Sequence, residues 1–135
     1  MALALWDGRY ETGHLAIDTQ HRHLFSLVND LHEALMAGRG KQAMGDTLRA
    51  LASYTAEHFR CEEALMLQME FPGTSDHQRK HAQLVSQVRQ LMADHDAGKL
   101  TLPLTLARFL SDWLGHHIEE EDMKLIEWVR TKNPD

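Results

Sequence analysis

A single cysteine, Cys61, rules out any disulfide within the chain, and a reducing, cytoplasmic location is the default that follows. Basic residues are also short. The 14 Lys and Arg against 20 Asp and Glu leave a net charge of −6, the wrong sign for a phosphate backbone, so nucleic acid is not an expected partner. No apolar run approaches the roughly 20 residues that cross a bilayer. The run Met1-Ala2-Leu3-Ala4-Leu5 is too short for the apolar core of a signal peptide and carries no cleavage pattern, so no membrane partner is expected. Internal repeats, low-complexity tracts and strand-like alternation are absent. What remains is an ordinary globular composition, 43% hydrophobic over 135 residues, which suits one domain with one core.

The residue present in unusual number is histidine, with ten in the chain. Histidine is a common metal ligand, so its placement on the expected helices matters. Helical periodicity predicts four helices at about 18–37, 41–69, 75–97 and 103–129. Gly38 and Gly40, then Pro72 and Gly73, then Gly98 and Pro103 separate them. Thr74 or Ser75 is expected to cap the third helix, and Asp18 the first. The short connections predict an all-α, up-down-up-down antiparallel four-helix bundle. Residues 1–17 are expected to form an arm carrying Trp6 and Ile17.

The apolar stripes of these helices run into polar residues. His21 precedes Leu24 and Phe25 by three and four positions. Thr55, His58, Glu62 and Leu65 continue one stripe, His77 and His81 lead into Leu84 and Val88, and Leu106, Phe109, Trp113 and His117 fall in line. Each helix therefore aims at least one imidazole inward, and one adds a carboxylate. Isolated polar groups in apolar surroundings cost about 1–3 kcal/mol each by mutational measures, so several gathered from four helices call for a cation. Helix direction supports the gathering. His21 and His77 lie near helix starts, and His58, Glu62 and His117 near helix ends, which share one level in an antiparallel bundle.

At this point the chain resembles the hemerythrins, in particular the single-domain bacterial ones. The segments that carry the resemblance are Ile17-Asp18-Thr19-Gln20-His21, His58-Phe59-Arg60-Cys61-Glu62-Glu63, His77-Gln78-Arg79-Lys80-His81 and the run from Trp113 to Asp122. The resemblance implies that His77, His81 and His117 hold one iron, that His21 and His58 hold the other, and that Glu62 and Asp122 bridge them beside an oxo or hydroxo group. Counting bonds on that pattern leaves one position open on the iron with two histidines, where dioxygen or a small anion would bind. Reversible oxygen binding by a monomer, without catalytic turnover, is the implied function. Leu114 falls where the family places a leucine against the bound gas, and Leu24, Phe25, Phe59, Trp113 and Ile118 are the other expected pocket residues.

Asp122 is the candidate that regular geometry favours least. Five residues separate it from His117, about 140° around a helix, whereas Glu121 lies only four away. If Asp122 is the ligand, the fourth helix is expected to widen locally, for example into a π-bulge. His116, His23, His32 and His95 are expected at the surface or its boundary, and Glu63 and Glu119 to Glu121 on solvated faces. Two other functions compete. An oxygen or redox sensor would act through a partner protein. A di-iron oxidase or peroxidase of the ferritin-like kind would carry paired Glu-x-x-His motifs, which the last three helices lack.

Overall fold

The computed structural model describes residues 4, 6–38, 40–98 and 105–132. After a 3-10 turn at Gly8–Tyr10, the chain forms α1 (Leu15–Met36), α2 (Lys41–Gln68), α3 (Thr74–Asp96) and α4 (Leu106–His117). A π-helical turn at Ile118–Asp122 carries α4 directly into α5 (Met123–Lys132), so the last two form one long rod. With α1 packed on α2 and α4, and α2 on α3, the architecture is a four-helix bundle. The start of the fourth expected helix at 103, with Pro103, lies outside the described residues.

Local chemistry sets the helix ends. α1 begins at Leu15, three residues earlier than expected, because His14 is its cap and accepts the Ile17 amide on Nδ1 at 3.3 Å. Ile17 accordingly belongs to the helix and not to the arm. Asp18 is not the cap. Its carboxylate reaches back to accept from the Thr12 amide (2.9 Å), the Thr12 hydroxyl (2.7 Å) and the Gly13 amide (3.1 Å), tying the arm to α1. Gly38 closes α1 in the left-handed conformation that glycine adopts without penalty. α3 has no side-chain cap: Gly73 occupies that position, and the Thr74 hydroxyl donates instead to the Phe71 carbonyl.

The stripes are buried much as their spacing requires, with Leu24, Val28, Leu31, Leu48 and Ile118 almost completely enclosed. Phe109 is the exception. At 45% exposed it lies off the inner face of α4, which Leu106, Leu110 and Leu114 occupy. Trp6 and Tyr10 of the arm meet Phe25 edge-on, with ring centroids 5.6 and 5.1 Å away. Tyr10 also covers Gly115, where a Cβ would come within 3.0 Å of the phenol oxygen. A side chain there would press on the Tyr10 ring, so glycine lets the arm lie close to α4.

The core is divided. A large apolar cluster fills the bundle from Leu24 and Phe59 to Leu35 and Leu48. A small one, Ile17, Met66, Leu125 and Ile126, plugs the opposite side. Along each chain segment the two are separated by the polar residues of the stripes: His21 lies between Ile17 and Leu24, Glu62 between Phe59 and Met66, and Asp122 between Ile118 and Ile126.

Candidate metal centre

Five imidazoles and two carboxylates occupy that dividing layer, and all seven residues are at most 4% exposed. They fall into two overlapping groups. Glu62, His77, His81, His117 and Asp122 make one; His21, His58, Glu62 and Asp122 make the other. The two carboxylates are common to both, and each divides its oxygens between them. Glu62 Oε1 lies 3.2 Å from His81 Nε2, while Oε2 lies 3.5 Å from both His21 Nε2 and His58 Nε2. Asp122 Oδ1 lies 3.0 Å from His77 Nε2 and 3.3 Å from His117 Nε2, while Oδ2 lies 2.9 Å from His21 Nε2.

The π-helical turn places Asp122 there. In that turn the Met123 amide donates to Ile118, five residues back, so one extra residue is accommodated and position 122 comes beneath 117. Glu121 is turned aside and pairs with Lys80 of α3. It is therefore not on a solvated face, as expected from sequence, but held by a partner.

These atoms do not satisfy one another. All four carboxylate oxygens lack a partner in hydrogen-bond geometry, and so do both nitrogens of His21. His117 Nε2 stands 3.0 Å from the Nε2 atoms of both His77 and His81. Three ring nitrogens that close cannot all be N–H groups. Two tautomers follow from outer partners. His81 Nδ1 lies 2.9 Å from the Glu63 carboxylate, which only accepts, so the proton is on Nδ1 and Nε2 offers a lone pair. His58 Nδ1 is held likewise at 2.6 Å by Gln20 Oε1. Backing of this kind orients a ligating imidazole and raises its basicity. Cations placed in this cluster would satisfy the carboxylate oxygens and one nitrogen of each ring. The residues present therefore fit a pair of metals, with donors of nitrogen and oxygen and no thiolate; Cys61 is exposed and belongs to neither group.

Without a cation, protons do that work. Burial alone pushes His21 down, but the closeness and charge of Asp122 and Glu62 bring it up to about 9. Burial likewise opposes the charge on His77, and Asp122 overrides it upward. Burial pushes both carboxylates up, and repulsion from Asp122 adds to this at Glu62, yet His58 and His21 hold Glu62, and His117, His21 and His77 hold Asp122, below the usual carboxylate range. The site keeps its anions ionised and attracts positive charge. Metal binding there would release protons.

Beside the layer lies a cavity of about 380 Å³, whose walls include none of the seven residues. Leu24, Phe59, Trp113 and Leu114 line it, whereas Phe25 and Ile118 do not: Phe25 packs under the arm aromatics, and Ile118 is sealed in the core. Phe59 stacks on His81 at 3.7 Å and Trp113 on His117 at 4.5 Å, both nearly parallel.

Several residues lie where sequence reasoning did not put them. His95 is buried, with Nε2 donating to the Lys41 carbonyl at 2.9 Å, instead of sitting at the surface. Glu63 and Gln20 support ring nitrogens across 18 and 38 residues of chain, separations that leave no local signal.

Fold and site together define a helical-bundle protein with two buried groups of ligand-type side chains, sharing Glu62 and Asp122, that could hold metal ions. The profile of the hemerythrin HHE cation-binding domain matches residues 12–129. A bacteriohemerythrin of Stenotrophomonas maltophilia is 31% identical over 96% of this chain and 84% of its own length. One of Methylococcus capsulatus is 32% identical over 90% and 93%. Among solved structures, a wild-type hemerythrin superposes with a TM-score of 0.87 at 31% identity, covering 90% of this chain and 94% of that one. A leucine-to-alanine variant of hemerythrin reaches 0.91 at 29% identity, over 95% and 98%. The chain belongs to the hemerythrin family. Among its described residues, no helix is long and apolar enough to cross a membrane.

Proposed function

We propose that this protein binds molecular oxygen reversibly at two irons, as a carrier or store and not as an enzyme. The observation that carries the reading is the unequal donor set: three imidazoles and two carboxylates on one side, two imidazoles and the same two carboxylates on the other. Two octahedral metals sharing a further bridging oxygen would be filled on the first side and one short on the second. Dioxygen or a small anion would bind at that vacancy, and irons held there would supply the two electrons that reversible oxygen binding uses.

On this reading His77, His81 and His117 hold the filled position, His21 and His58 hold the open one, and Glu62 and Asp122 span both. Glu63 and Gln20 fix the rings of His81 and His58. Leu24, Phe59, Trp113 and Leu114 keep water from the approach. The cavity beside the site carries no carboxylate, imidazole or thiol along its walls; its polar groups are Arg49, Ser53, Arg89 and Thr55, and the Thr55 hydroxyl is spent on the Leu51 carbonyl at 2.7 Å. Little is therefore at hand to protonate or attack what binds, which favours release of oxygen unchanged over turnover. On the same reading the protein is a cytoplasmic monomer; its single cysteine, Cys61, is exposed and forms no disulfide within the chain.

The test is anaerobic reduction of iron-loaded protein followed by oxygen titration, watched by visible absorption. A band that appears with oxygen and vanishes on its removal, with about two irons per chain, supports the reading. Irreversible bleaching with peroxide release would replace it with the oxidase reading. A reversible band whose main consequence is altered binding of another protein would replace it with the sensor reading.

A further inference from the structure

The cavity is larger than a diatomic gas would fill, and its walls have two different characters. Its inner end is Leu24, Val28, Phe59 and Leu114, each no more than 6% exposed. Its mouth lies between α2 and α3, where the small residues Ala52, Ser53 and Ala56 face Val85 and Arg89. From Arg49 at one end of the α2 wall to Phe59 at the other is ten residues, about 15 Å of helix axis. A dry engineered cavity of about 150 Å³ already takes up benzene or xenon. The 380 Å³ here falls in the range of pockets that enclose small organic ligands.

Charge at the mouth narrows what such a ligand would be. Arg49 is compensated twice, by Asp46 at 2.5 Å and Asp96 at 3.0 Å. Arg89 is exposed and has no ion pair or hydrogen bond among the described residues. One unpaired guanidinium beside a long apolar space matches one negative charge on an unbranched apolar tail. A chain of net charge −6 does not favour a polyanion.

We propose that this cavity is a binding site for a medium-chain alkyl carboxylate, with its carboxylate on Arg89 and its tail lying inward against Phe59, Trp113 and Leu114. Guanidinium and carboxylate pair in a planar, two-pronged geometry that a lone hydroxyl cannot reproduce. The tail would end beneath the rings stacked on His81 and His117. If the oxygen reading holds, occupancy slows oxygen entry; binding of the carboxylate does not depend on that reading.

Calorimetric titration of the iron-loaded protein with decanoate, decanol and acetate tests the assignment. Decanoate is expected to bind one per chain with a negative heat-capacity change, decanol about tenfold more weakly for want of the charged contact, and acetate not measurably. Arg89→Gln is expected to bring decanoate to the affinity of decanol and leave decanol unchanged. Ala56→Trp, which fills the mouth, is expected to abolish both while iron content stays the same; Val85→Trp serves if that variant does not fold. Absence of decanoate binding, equal binding to Arg89→Gln, or unaltered binding to the filled variants would each overturn the proposal. Oxygen binding measured without decanoate is read separately, so the two conclusions fail independently.

Discussion

Removing the metal should reverse the way this protein's stability responds to pH. In the metal-free fold His21 is raised from 6.5 to about 9 by Asp122 and Glu62. A group raised on folding stabilises fully below its unfolded value and loses that contribution as pH climbs through its folded value. At about 1.4 kcal/mol per unit, metal-free protein should lose about 3 kcal/mol between pH 6.5 and 9, roughly 10 °C in melting temperature for a domain this size. His77 is raised by the same neighbours and acts in the same direction. Glu62 and Asp122 are ionised in folded and unfolded chains alike across this window, so they add no slope there. Loaded protein should behave oppositely, because metal needs His21 and His77 unprotonated and holds them more tightly as protons are withdrawn. Urea unfolding of chelator-stripped and loaded protein at four pH values, followed by circular dichroism, makes the comparison. Stability of the stripped protein that is level or rising from pH 6.5 to 9 would refute the electrostatic account, as would an unchanged slope in His21→Asn.

Three further outcomes are expected. Asp122→Ala should leave fewer than two bound metals per chain while Glu121→Ala keeps two, measured by elemental analysis after desalting; the opposite pattern would mean that the π-helical turn does not select the ligand. Glu63→Ala, which strips the partner from His81 Nδ1, should weaken metal affinity about 10- to 100-fold, seen in competition with a chelator of known strength. Asp18→Ala removes a buried carboxylate that accepts three hydrogen bonds from the arm; it should cost about 2–3 kcal/mol and free the Thr12 and Gly13 amides to exchange. Metal content in that variant should not change.

Much of the bundle could be read from spacing because amphipathic periodicity is a property of each helix alone. Residues three and four apart share a face whatever lies opposite, so the inward aim of His21, His58, Glu62, His77, His81 and His117 was legible. Errors arose where a residue had a stronger use than its local rule supplied. Asp18 has the composition of a helix cap, but three donors from the arm claim its carboxylate, and His14 caps instead. Phe109 fits the stripe by number, yet Leu110 beside it takes the inner position and Phe109 is left to solvent. His95 looks like an exposed helix end, and becomes buried only because the start of α2 lies across it.

From sequence alone came the number of helices, their antiparallel order and the six polar residues on inner faces, since hydrophobic period and chain direction are local quantities. Tertiary structure alone decided how the helices are rotated and offset. That is what sets Glu63 against His81, Gln20 against His58 and Lys80 against Glu121, pairs separated by 18, 38 and 41 residues. It also decided where the bundle leaves space between α2 and α3, whereas the inward acid of the fourth helix, Asp122, was implied by the family resemblance and not by helix periodicity. Such contacts depend on relative placements of a few ångströms between rods, and no periodicity within a single rod encodes them.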